Sequence, residues 1–252
     1  MWKQLAVAGL VWSLSSVSSL SADVSCTASE SVDPNESDAV MEIVKGCIRE
    51  NKLDQAVVLL NQVISAKPDY QTAYVNRATI YAQKGEIEAS LRDFDHVIAA
   101  SPDRADAWYG RGTVNVRIGR IDAGISDLGE AIKLEPDMAL AYCNRGMAFL
   151  QQRSFSEAIK DLTISLQKNV KLPSCYFALA SAYEGTGDDG RAIENLGIGI
   201  EMEPSSAAAL AERGKIYERI GEKEKALADY QSALQIAPSL RSAKQGLSRL
   251  TQ

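Results

Sequence analysis

Residues 74–103 read YVNRATIYAQKGEIEASLRDFDHVIAASPD, and this stretch decides the fold. It carries large side chains at helical spacing (Tyr74, Tyr81), small ones at Ala78 and Ser90, a glycine at Gly85 and a proline near its end, Pro102. That proline belongs to a series. Pro68, Pro102 and Pro136 are 34 residues apart, and so are Pro204 and Pro238. The missing member is Val170, and the phase survives across it. A fixed period of this length is the signature of a repeat architecture. It divides the chain into six units: 37–70, 71–104, 105–138, 139–172, 173–206 and 207–240.

Stacking the units gives the period a physical cause. Twelve residues before each proline position sits Ala56, Ser90, Gly124, Ala158, Ala192 or Ala226, and twenty-four before it Val44, Ala78, Gly112, Gly146, Ala180 or Gly214. All but Val44 are small, as required where two antiparallel helices cross closely. Large side chains fill the flanking slots: Trp108, Tyr142 with Phe149, Tyr176 with Tyr183, and Leu210 with Tyr217. Asn51, Gly85, Gly119, Gly187 and Gly221 fall between the two helices of their units and tolerate the left-handed conformation that ends a helix. The proline then stops the second helix.

Residues 74–103 and 142–166 (YCNRGMAFLQQRSFSEAIKDLTISL) resemble the tetratricopeptide repeat family, and the resemblance covers 37–240. It implies an all-α, right-handed superhelical solenoid of six helix–turn–helix units, with a concave face lined by the first helix of each. The fourth unit departs from the pattern. Arg153 replaces the turn glycine, Val170 the proline, and Pro173 starts the next helix, so a softer junction is expected there. At the C-terminal end, 241–252 reads as a capping helix with Ala243, Leu247 and Leu250 inward and Arg241, Lys244 and Arg249 outward.

The N-terminal end reads as a signal peptide over 1–22: Lys3, then ten apolar residues from Leu5 to Leu14, then small residues up to a cleavage point near Ser21 or Ala22. Ten apolar residues are too few to span about 30 Å of hydrocarbon. A lipoprotein attachment at Cys26 is disfavoured by Asp23 just before it. Cleavage would leave a polar strap, 23–36, and change the net charge from −6 to −7, because only Lys3 is lost. Export, most readily to a bacterial periplasm, would let the four cysteines pair. Cys26 on the strap can reach Cys47, and Cys143 and Cys175 fall near each other on the first helices of adjacent units; buried free thiols are the alternative for both.

One charge pattern reads as structural. Arg77, Arg111, Arg145 and Arg213 share a slot on first helices, and sixteen residues on come Asp93, Asp127, Asp161 and Asp229. In the fifth unit both members change together, to Leu179 and Asn195, and in the first to Ile43 and Leu59. Joint loss suggests an ion pair, since a partly buried carboxylate left alone is costly.

Catalytic and cofactor chemistry find no support. The single histidine, His96, has no His or Cys at metal-ligand spacing, which speaks against a zinc site and against a Ser–His–Asp set. Gly185, Gly187 and Gly190 lack the lysine of a phosphate loop. The chain is 46% hydrophobic and acidic overall, without the basic cluster that nucleic-acid binding needs.

What remains is the surface of the first helices. From the repeat phase, the slots facing the concave side hold Val75, Asn76, Thr79 and Gln83 in the second unit and Tyr109, Thr113 and Arg117 in the third. Asn144, Met147 and Gln151 follow in the fourth, and Phe177 and Ser181 in the fifth. Aromatic and methionine anchors among amides suit an extended peptide or a helix laid in a groove. Asn76 and Asn144 resemble the family's asparagines that hold peptide main chain, with Gly110 interrupting them. The cationic clamp for a C-terminal carboxylate found in chaperone adaptors is not expected, because its slots hold Asp106 and Gly110. The function expected is an exported, non-enzymatic scaffold or adaptor for a protein or peptide partner, with a regulatory subunit of a cell-envelope enzyme as the alternative.

Overall fold

The computed structural model describes residues 26, 36–168 and 172–251. The expected signal segment 1–22, nearly all of the strap 23–36, and Val170 lie outside the described residues. The chain divides into two compact units, 1–136 and 137–252. The described residues contain helices and turns without a strand.

The first unit contains three hairpins: α1 (Ser37–Arg49) with α2 (Leu53–Ala66), α3 (Gln71–Lys84) with α4 (Ile87–Ala100), and α5 (Ala105–Arg117) with α6 (Ile121–Leu134). The second contains α7 (Ala139–Gln151) with α8 (Phe155–Gln167), α9 (Pro173–Thr186) with α10 (Asp189–Met202), α11 (Ala207–Arg219) with α12 (Lys223–Ile236), and a final helix, α13 (Arg241–Thr251). Six hairpins thus occupy the six expected units, and α13 packs on α11 and α12. Among the described residues no helix is long and apolar enough to cross a membrane.

The small slots bring the helices of a hairpin together. A Cβ at Gly124 would lie 2.5 Å from Val116 Cγ2 and 2.9 Å from the Gly112 carbonyl oxygen, so alanine there would force α5 and α6 apart. All six hairpin turns use a left-handed residue. Asn51 has φ 56° and Arg153 has φ 60°, beside the four glycines. For arginine this conformation costs roughly 1–2 kcal/mol, yet the turn geometry persists without its glycine. Pro173 occupies the first turn of α9, where a missing N–H costs nothing.

The junction between the fourth and fifth repeats, where a softer point is expected, lies inside the second compact unit. The division between compact units falls at Pro136, and α8 and α9 pack together inside the second unit. Arg153 takes the left-handed turn conformation of the glycine it replaces, and Pro173 opens α9.

Successive repeats are keyed by rings. The Phe94 ring of α4 fills the space where a side chain at Gly110 of α5 would stand, and Tyr230 of α12 does the same to Gly246 of α13. Both rings are fully buried. Within the fifth hairpin, the Phe177 ring of α9 likewise occupies the space above Gly199 of α10.

Candidate peptide-binding faces and their supports

Four arginines of the first helices form two-pronged ion pairs with aspartates of the second. Nε and Nη2 of Arg77 donate to Asp93 at 2.7 and 2.8 Å, and those of Arg111 to Asp127 at 2.9 and 2.7 Å. Arg145 donates to Asp161 at 2.6 and 2.9 Å, and Arg213 to Asp229 at 2.8 Å through both atoms. The four aspartates are buried. The hydrogen bonds to Asp93, Asp127 and Asp229 hold the guanidiniums of Arg77, Arg111 and Arg213 above the usual arginine pKa. Each arginine also lies over an aromatic ring of its own helix, Arg111 over Trp108 at 4.9 Å and Arg77 over Tyr74 at 5.4 Å. Where the fork is absent, the chain adjusts. Leu179 is buried and the Asn195 amide donates to the Arg191 carbonyl one turn back.

In the first unit, forks extend across repeats. Nη1 of Arg77 reaches Asn61 of the preceding hairpin and Nη1 of Arg111 reaches Asp95, each at 2.6 Å. In the second unit the equivalent position opposite Arg213 is Gly197, which has no side chain to accept the bond.

The groove residues separate into open and engaged groups. In the first unit Asn76 is half-buried, its amide donating to the Thr72 carbonyl at 2.9 Å, and Gln83 is exposed. Tyr109 is half-buried on α5. Thr79 and Thr113 are buried, the Thr79 hydroxyl donating to the Val75 carbonyl. Val75 is a core residue. Arg117 donates through Nη2 to the Ala82 carbonyl at 2.6 Å, near the C-terminal end of α3, where a cation complements the helix dipole. Burial lowers the pKa of this guanidinium below the usual value.

In the second unit Gln151 is exposed, Met147 is half-buried against the core around Cys143, and Asn144 is 6% exposed. The Ser181 hydroxyl donates to the Phe177 carbonyl. Phe177 itself, expected as an open anchor, is 9% exposed and packs with Ala180, Ala192, Leu196, Ala209 and Ile216. Its ring is a core ring because Gly199 leaves room for it.

The expected concave slots stop at the fifth unit, and the structure shows a charged ladder beyond them. Lys215 meets Glu184 at 3.0 Å, Arg219 grips Asp189 through two nitrogens, and Arg249 grips Glu218 through two. Opposite charges 30 or 31 residues apart were the available sequence signal. His96 is exposed and stacks on Tyr74 with ring centroids 4.2 Å apart. The GTGDDG segment is a turn and a cap: Gly187 has φ 80°, and the Asp188 carboxylate accepts the Arg191 N–H at the start of α10. Among the described residues no group of three or more His, Cys, Asp and Glu side chains is arranged to hold a metal ion.

Both cysteine pairs are bonded. Cys26 joins Cys47 with Cα atoms 4.6 Å apart, and Cys143 joins Cys175 with Cα atoms 5.9 Å apart. The Cys26 N–H also donates to Glu50, and the Cys26 position closes one side of a 340 Å³ cleft with Ile43, Val58 and Leu59.

Helix hairpins repeating at this period, with small crossing residues and left-handed turns, define an α-helical repeat protein built for interaction surfaces. The tetratricopeptide repeat family model matches residues 48–105, 76–123, 112–167 and 177–240, and the chain belongs to that family. A comparison with curated protein sequences finds no match. Among solved structures, a Pseudomonas aeruginosa protein, pilF, aligns at 17% identity and TM-score 0.77, covering 86% of this chain and 99% of that one. The Cut9–Hcn1 structure of the APC/C aligns at 16% identity and TM-score 0.75, covering 87% of this chain and 44% of that one, so this chain spans less than half of its length. YrrB, described as a TPR protein with an unusual peptide-binding site, aligns at 20% identity and TM-score 0.64, covering 75% and 97%. These likenesses concern the fold.

Proposed function

We propose that the protein is an exported, non-catalytic scaffold whose first helices bind an extended peptide or a helix of a partner protein. One observation carries this reading: the open slots of α3 and α7 hold uncharged amides and a methionine. These are Asn76 and Gln83 in one unit and Met147 and Gln151 in the other, with Tyr109 half-buried on α5. Amides grip a peptide backbone without the desolvation cost of ions, and a half-buried tyrosine adds contact area at low entropic cost. The arginines that are most regular in the sequence are tied to aspartates and are unavailable as ligand anchors. Catalysis has little to build on, since the one histidine stacks on a tyrosine. Export is supported by the segment 1–22 and by the pairing of all four cysteines.

The test uses the full chain to select from a 12-residue displayed peptide library. Tyr109→Ala should weaken the selected peptides about tenfold, equivalent to about 1.4 kcal/mol, while Lys160→Ala on α8 leaves them unchanged. Failure to select any peptide, or equal affinity for the two variants, refutes the assignment. Fractionation of cells carrying the full-length chain checks export, and retention of residues 1–22 in the mature protein counts against it.

A further inference from the structure

The fourth and fifth repeats depart from the pattern that the others share. The turn at Arg153 lacks glycine, and five residues connect α8 to α9 where four connect α4 to α5 and α10 to α11. The fifth repeat has no arginine fork, and Arg213 has no side chain to reach at Gly197. A covalent link stands in this same region. Cys143 of α7 is bonded to Cys175 of α9, and both are buried, at 1% and 0% exposure. The slot of Cys175 is alanine in the five other first helices, at Ala39, Ala73, Ala107, Ala141 and Ala209, and again at Ala243 of the capping helix. The slot of Cys143 holds Val75, Tyr109, Phe177 and Ala211 elsewhere. Neither sulfur is required for hairpin packing, since the other repeats pack without it.

Cys143 precedes Asn144 and lies about one turn from Met147, on the helix whose open slots are assigned to the guest. We propose that Cys143–Cys175 is a redox lock on the guest-binding face of α7 and α9. The proposal rests on the peptide-binding reading of α7. In the oxidised state the bond fixes the spacing of the two helices. A dithiol breaks it by exchange: the S–S bond accepts two electrons and two protons, leaving two cysteine thiols, and the dithiol departs as a disulfide. The helices are then held by packing alone, and their guest affinity falls. Because both sulfurs are buried, exchange requires local opening. A guest lying across the two helices therefore slows its own release by protecting the bond, as reciprocal linkage demands.

The test compares the oxidised full chain, the same chain treated with dithiothreitol, and Cys143→Val/Cys175→Ala, which restores the second repeat's residues and keeps Cys26–Cys47. Amide hydrogen exchange in α7 and α9 is measured together with the affinity of peptides selected on the oxidised chain whose binding is weakened by Met147→Ala and Gln151→Ala. The lock predicts at least tenfold faster exchange in these helices, and about fivefold weaker peptide binding, in both the reduced chain and the variant. Unchanged exchange with peptides still bound overturns the lock alone, as does faster exchange with unchanged affinity. Absence of any selected peptide overturns the peptide-binding reading and, with it, the lock on a guest face. Retained helical content in the variant separates these outcomes from misfolding.

Discussion

At the residue scale, the chain carries its own controls. Ser90 is fully buried and its hydroxyl has no hydrogen-bond partner, whereas four other repeats place Ala56, Ala158, Ala192 or Ala226 in that slot. Removing an unsatisfied buried hydroxyl relieves a desolvation cost, so Ser90→Ala should stabilise the protein by about 1 kcal/mol, seen as a higher urea midpoint. The forks allow a sharper test. Asp161→Ala leaves the Arg145 guanidinium without its partner and should cost about 3 kcal/mol. Arg145→Leu with Asp161→Asn, the combination found in the fifth repeat, should cost only about 1 kcal/mol. Equal losses in the single and double variants would exclude a coupled pair. The forks were legible because both members vanish together within one sequence. The core position of Phe177 was not, because its slot also holds Tyr109, and the difference lies in Gly199, 22 residues downstream in the next helix.

At the scale of the element, α13 shows how a terminal helix is fastened. Arg249 reaches Glu218 of α11 with bonds of 2.7 and 2.8 Å, and the Tyr230 hydroxyl donates to the same carboxylate at 2.7 Å. These hydrogen bonds, chiefly that from Arg249, hold the Glu218 carboxyl below its ordinary value of 4.5. A depressed carboxyl pKa contributes stability above the unfolded value, and that contribution is lost as the pH falls through the folded one. Arg249→Ala should therefore lower Tm by about 2 °C at pH 7, with the gap closing below pH about 4.5. A gap that is constant between pH 7 and pH 3 would remove Glu218 from this role. Helix boundaries were readable from prolines and small residues. The inter-helix partners of Arg249 and Lys215 were less so, because solvated charges look alike until their neighbours are placed.

At the scale of the whole molecule, the uncharged character of the open slots has a measurable outcome. Surface ion pairs weaken as salt screens them, but amide and aromatic contacts do not. Affinity for selected peptides should change less than about twofold between 50 mM and 500 mM salt. A tenfold loss would mean that the guest is held through charge, on the ladder around Lys215 and Arg219, and not on α3 and α7. The six repeats were evident from the period alone. The division into compact units at Pro136 was not, since that proline follows the repeat pattern faithfully, while the visible departures at Arg153 and Val170 lie elsewhere.

The ring of Phe94 and the bare backbone of Gly110 belong to different repeats, as do Tyr230 and Gly246. The smallest interchangeable cassette is therefore not the 34-residue period itself. Grafting 71–104 ahead of a repeat that begins like 139–172 would drive an aromatic edge into Asn144. Anyone recombining such modules must let each ring travel with its glycine, which makes the inheritable unit overlap its successor.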